Sequence, residues 1–135
     1  MRHRLPIALG AVLTVVVLAG CDTPGIADRV SPGAPPGALV DPLSEGPVAA
    51  WVQDGTRFAV VTFGSSSCPS VATALTVEAE DRLSLMLGRS PNDPCTADMA
   101  PTTHEFELPD GITGKPITIT VGYEDWDETS IVTLE

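Results

Sequence analysis

From Val48 onward the chain is built of short apolar runs rich in Val, Ile and Thr, each closed by turn residues. No window sustains the 3.6-residue period of an amphipathic helix, so the pattern predicts strands. Val48–Gln53 and Thr56–Phe63 flank Asp54-Gly55, a dipeptide suited to a two-residue hairpin turn. That register sets Trp51 opposite Phe58 and Val52 opposite Arg57. Val60 and Val61 point to opposite faces and are both apolar, which predicts a second strand buried on both sides.

Val71–Ala79 and Leu83–Gly88 follow as a further pair. A two-residue loop at Glu80-Asp81 would put Leu83 and Leu85 beside Glu78 and Thr76. A three-residue loop including Arg82 aligns Leu83, Leu85 and Leu87 with Ala79, Val77 and Leu75, and the apolar register prefers it. Arg89–Pro94 is a polar connection, and Thr96–Thr103, containing Pro101, reads as loop. His104, Phe106 and Leu108 then alternate with Glu105 and Glu107, and Ile117, Ile119, Val121 and Tyr123 alternate with Thr118 and Thr120. Ser130–Leu134 is the last strand. About seven strands in under ninety residues predict an all-β fold, a small antiparallel β-sandwich.

The segment before Val48 has a different character. Asp22–Pro47 is dense in proline and glycine, as in Ser31-Pro32-Gly33 and Pro35-Pro36-Gly37, and reads as an unstructured, disordered stalk. Ahead of it, Arg2 and Arg4 precede an uncharged apolar run, Leu5–Ala19, which ends in the small residues Ala19-Gly20: the layout of a secretory signal. That run is shorter than the roughly 20 residues a spanning helix needs. Leu18-Ala19-Gly20-Cys21 resembles the lipobox of bacterial lipoproteins, which implies cleavage before Cys21 and a diacylglyceryl group on its sulfur. The expected layout is a removed signal (1–20), a lipidated N-terminus and stalk (21–47), and a β-sandwich (48–135). The expected location is the outer face of the cytoplasmic membrane, within the cell envelope.

Charge narrows the partners. The chain carries 7 basic and 18 acidic residues; loss of Arg2 and Arg4 leaves 5 against 18, a formal charge of −13 (5 − 18). Phosphate binding wants the opposite sign, which excludes nucleic acid as a partner. Anionic headgroups are repelled too, so the lipid on Cys21 alone is expected to meet the bilayer. With Cys21 given to lipid, Cys68 and Cys95 form an even pair in an exported chain, and a disulfide between them is expected. Both cysteines fall just outside strands, beside Pro69 and Pro94, so the sandwich is immunoglobulin-like in architecture only. Its bridge should pin two loops at one end.

Gly64-Ser65-Ser66-Ser67-Cys68-Pro69, Cys95-Thr96-Ala97-Asp98, Pro101-Thr102-Thr103 and Leu108-Pro109 together resemble a group of small lipoproteins of high-GC Gram-positive bacteria. The resemblance runs from Trp51 to about Val121. It implies the lipid anchor and the cysteine pair, and it implies no catalytic residues.

Three chemistries compete with a binding or structural role. Ser65, Ser66 or Ser67 beside His104, the one histidine left after cleavage, would offer a hydrolase nucleophile, but no nucleophile elbow is present and a tight turn against the bridge explains the serines as well. Met86, Met99 and His104 offer soft ligands for copper, although a blue-copper centre wants two histidines and a free thiolate. Glu124-Asp125-Trp126-Asp127-Glu128 offers oxygen ligands for calcium in the last hairpin loop, against a solvated turn with Trp126 as a partner contact. The expectation is a monomeric, non-enzymatic module without cofactor, meeting an envelope protein or a small ligand; metal handling and hydrolysis are the alternatives.

Overall fold

The computed structural model of the chain describes residues 24–41, 43, 46–53 and 55–135. Cys21 and residues 1–20, the expected export signal, lie outside the described residues. Within them the chain forms eight strands: β1 (Arg29–Pro32), β2 (Val48–Val52), β3 (Arg57–Gly64), β4 (Val71–Ala79), β5 (Arg82–Gly88), β6 (Ala100–Glu107), β7 (Ile117–Tyr123) and β8 (Trp126–Leu134). Two four-stranded sheets, ordered β1-β6-β3-β2 and β4-β5-β7-β8, face each other. The sandwich is as expected, with one strand more than the apolar pattern displays.

The β2–β3 hairpin has the expected register, Trp51 opposite Phe58 and Val52 opposite Arg57. Gln53 (φ 58°) and Gly55 (φ 73°) take the left-handed backbone that tight turns use, and the Thr56 N–H donates to the Gln53 carbonyl over 3.1 Å. Phe58 through Thr62 are buried without a break. Phe58 and Val60 enter the core, where Phe58 stacks on Phe106 with centroids 5.3 Å apart. Each such side chain contributes about 1.5–3 kcal/mol by leaving water. Leu83, Leu85, Leu87, Ile117, Ile119, Val121 and Leu134 supply the opposing half.

The stalk expected to run to Pro47 instead holds β1, so the folded unit begins before Arg29 rather than at Val48. β1 pairs with β6 from Arg29–Glu105 to Pro32–Thr102, Ala27 is buried, and the Ile26 N–H donates 2.9 Å to the Ala72 carbonyl. Proline is tolerated because Pro32 closes an edge strand. Four residues are too few to show a period of two, and the proline and glycine around them mask the rest. Gly37–Val40 forms no strand.

Three other boundaries differ. The β4–β5 turn is the two-residue Glu80-Asp81, with Ala79 opposite Arg82, and a β-bulge between Val77 and Ala79 then brings Val77 opposite Leu83 and Leu75 opposite Leu85. Apolar residues still meet, but an extra residue in the strand achieves it, not an extra residue in the loop. β6 begins at Ala100 and takes in Pro101, whose carbonyl accepts the Gly33 N–H at 2.9 Å. β8 begins at Trp126, so the final loop is only Glu124-Asp125.

One strand pair, β5 with β7, is parallel where an antiparallel sandwich was expected. β6 makes the return pass in the other sheet, so β7 re-enters running the same way as β5. The consequence is that β3, β5 and β7 all finish at the end where β4, β6 and β8 start. The links Ser65–Ser70, Arg89–Met99 and Glu124-Asp125 therefore gather there.

Candidate binding cleft at the disulfide end

Cys68 and Cys95 are joined, bridging the β3–β4 and β5–β6 links, as the even pair and the flanking prolines led us to expect. A network of hydroxyls surrounds the bridge. Ser65 Oγ, Ser66 Oγ and Ser67 Oγ lie 3.0, 3.3 and 3.2 Å from Thr96 Oγ1, and the Thr96 N–H donates 2.9 Å to Ser67 Oγ. Asp98 Oδ1 accepts from Thr96 Oγ1 and, at 3.1 Å, from the Ser66 N–H. Hydrogen bonds from Ser66 and then Thr96 stabilise the carboxylate and lower the Asp98 pKa to about 2. The Asn92 amide donates 2.8 Å to the Ser67 carbonyl. The serine run is thus the socket that receives the Thr96–Asp98 segment.

His104 is elsewhere. It sits in the middle of β6, wholly buried, on the face turned toward the other sheet, whereas reading Thr96–Thr103 as loop puts it at the start of its strand. Its Nε2 lies 3.2 Å from Thr62 Oγ1, and its Nδ1 has no hydrogen-bond partner among the described residues. Burial lowers its pKa to about 4. Its one side-chain hydrogen bond goes to Thr62, and the hydroxyls of Ser65–Ser67 are engaged with Thr96, so the structure does not join them as base and nucleophile.

The candidate metal ligands are likewise separated. Met86 lies on the outer face of the second sheet in the row of Ala74 and Gly122, Met99 is exposed in the link before β6, and His104 is in the core. In the acidic stretch, Glu124 accepts from Thr73 Oγ1 at 2.7 Å across Gly88, whose added Cβ would meet Glu124 Oε2 at 2.8 Å. Asp125 pairs with Arg89 at 2.6 Å. Asp127 and Glu128 belong to β8. Among the described residues no group of three or more His, Cys, Asp and Glu is arranged to hold a metal ion.

What the three links do enclose is a half-open cleft of about 320 Å³. Leu87 forms its floor, Phe63, Tyr123 and Trp126 its apolar walls, and Ser65, Ser70, Arg89 and Asp125 its polar rim. Tyr123 and Trp126 pack against each other, 5.3 Å apart between centroids and tilted by 41°. Trp126 is 65% exposed, unusual for so large an apolar surface. The sequence marked Trp126 as a contact residue; Tyr123 and Arg89 carried no signal, because only the return pass of β6 brings their strands to one end.

A second hollow, about 570 Å³, lies at the far end against Gln53, Thr56, Arg57, Glu107 and Leu108. Its cation is already committed, since Arg57 lies 3.7 Å from Asp28, 3.9 Å from Glu105 and 3.7 Å from Glu107. It has no aromatic wall. The cleft at the disulfide end is the better-formed site by that difference. No protein-family model, no curated protein and no solved structure matches this chain.

Proposed function

We propose that this chain is an exported, lipid-anchored binding module of the cell envelope, held by a diacylglyceryl group on Cys21 at the outer face of the cytoplasmic membrane and acting by recognition, not catalysis. The observation that carries the binding role is the cleft: one end of the sandwich, tied by a disulfide, displays Trp126 beside the half-buried Tyr123 and the buried Leu87. Large aromatic side chains left exposed beside a pocket are typical anchors for a ligand. Support for the address comes from Leu18-Ala19-Gly20-Cys21 and the apolar run before it.

The position of β1 changes how such an anchor would act. Ile26 is already docked on Ala72, so at up to about 3.6 Å per residue the chain from Cys21 to Ile26 reaches no more than roughly 18 Å. The domain would be moored close to the bilayer, and its acidic charge would hold it off anionic headgroups.

Two variants test this reading in cells. Cys21→Ser should shift the protein from the membrane fraction to the medium, and retention of the variant in the membrane would refute the anchor. A photo-crosslinking residue at position 126 should capture a ligand that the same residue at Thr120, on the outer sheet face, does not; equal capture at both positions would refute the cleft as the recognition surface.

A further inference from the structure

We infer that the cleft at the disulfide end takes a neutral saccharide, one or two pyranose rings long. This rests on the cleft being the recognition surface and adds the class of its ligand. Three features of the lining argue for it.

The first is charge. The domain is strongly acidic, yet the cleft lining contains one cation and one anion, Arg89 and Asp125, already paired through Nε and Oδ2 at 2.6 Å. The pair leaves the lining with no net charge to attract a charged ligand, and an anion would also meet the repulsion of the whole domain. A neutral ligand avoids that repulsion.

The second is the supply of hydrogen bonds. The pair engages only Nε and Oδ2, so the Arg89 Nη donors and the Asp125 Oδ1 acceptor have no partner among the described residues. A guanidinium donor beside a carboxylate acceptor matches neighbouring ring hydroxyls, each of which accepts one hydrogen bond and donates another. The hydroxyls of Ser70 and Tyr123, both half-buried, make no hydrogen bond within the described chain and add two groups able to give or receive. An aliphatic or aromatic ligand would leave all of these unanswered.

The third is shape. The C–H faces of a pyranose are weakly polarised and pack on the electron-rich face of an indole or phenol. Trp126, largely exposed at the cleft wall and braced by Tyr123, offers such a face to a ring, and a volume of about 320 Å³ suits a mono- or disaccharide.

The test uses the full chain extracted from membranes in a non-glycosidic detergent. Saturation-transfer NMR and tryptophan fluorescence would be recorded against maltose, cellobiose, mannobiose, lactose and diacetylchitobiose, with glucuronic acid and a sulfated disaccharide as charged comparators. At least one neutral disaccharide should bind in the millimolar range or tighter. Trp126→Ala and Arg89→Ala should each weaken it by roughly tenfold or more, with unchanged melting. The proposal is overturned if no neutral sugar binds at tens of millimolar, if only the charged comparators bind, or if Trp126→Ala binds as the parent does. A lost sugar signal with crosslinking at position 126 intact would remove the saccharide and keep the cleft; loss of both would remove the cleft as well.

Discussion

The indole Nε1 of Trp51 donates 2.7 Å to the backbone carbonyl of Glu135, joining β2, an edge of one sheet, to the end of β8, an edge of the other. The Lys115 ammonium covers the same indole, 4.7 Å from its centroid. On the opposite side the Ile26 N–H to Ala72 carbonyl bond closes β1 against β4. Each open side of the sandwich is thus latched by a hydrogen bond between the sheets. Trp51→Phe keeps most of the packing but loses the donor, and is expected to cost about 1 kcal/mol, read as a fall of several degrees in the thermal midpoint.

Acid should loosen the core through His104. Its pKa is near 4 in the folded state against 6.5 when exposed, so the unfolded chain binds the proton more readily between those values. The contribution is therefore complete above pH 6.5 and is lost as pH falls through 4, amounting to roughly 3 kcal/mol. Denaturant melts at pH 7 and pH 4 would show this loss in the parent. His104→Leu should lack that part of the pH dependence, and an unchanged slope in the variant would place the acid sensitivity elsewhere.

The disulfide closes a stretch of chain with a sequence separation of 27. In the chain-entropy account it contributes about 3–4 kcal/mol. Cys68→Ser with Cys95→Ser is expected to lower stability by up to that amount. Residues 91–99 are all exposed, and Thr96 and Asp98 would then be held to the serine loop by polar bonds alone. Hydrogen exchange should show those amides opening first, ahead of β3 and β5.

The N-terminal boundary can be tested by truncation. A chain starting at Val48 lacks β1 and the buried Ala27, and it bares the edge of β6; it should melt well below a chain starting at Pro24, or aggregate through the open edge. A subtler variant is Gly25→Ala. Gly25 has φ 89°, and an added Cβ would lie 2.4 Å from the Ala72 carbonyl oxygen, so backbone must move. A loss of about 1–3 kcal/mol is expected by chemical denaturation.

Sequence alone determined the local, repeating part of this protein. Alternation of apolar and polar residues placed β4–β5 and β7, because a pleated strand with one buried face must alternate; unbroken apolar runs placed β2 and β3, and Asp54-Gly55 set the register of their hairpin. The pairing of Cys68 with Cys95, expected from their even count once Cys21 was set aside, is the bridge observed.

Tertiary structure decided whatever depends on which strands become neighbours. β1 is a strand because β6 offers it a free edge, not because its four residues insist on it. The bulge in β4 satisfies a leucine register that a loop of another length would also have satisfied. His104 sits deep in the core because β6 lies between two strands and under the second sheet, and nothing in its own neighbourhood of sequence records that. The cleft is the plainest case: Ser70, Arg89, Tyr123 and Trp126 line one cleft only because β6 crosses to the other sheet and sends β7 back parallel to β5. Periodicity reports the surroundings of one strand, and a site made by the ends of five is invisible to it.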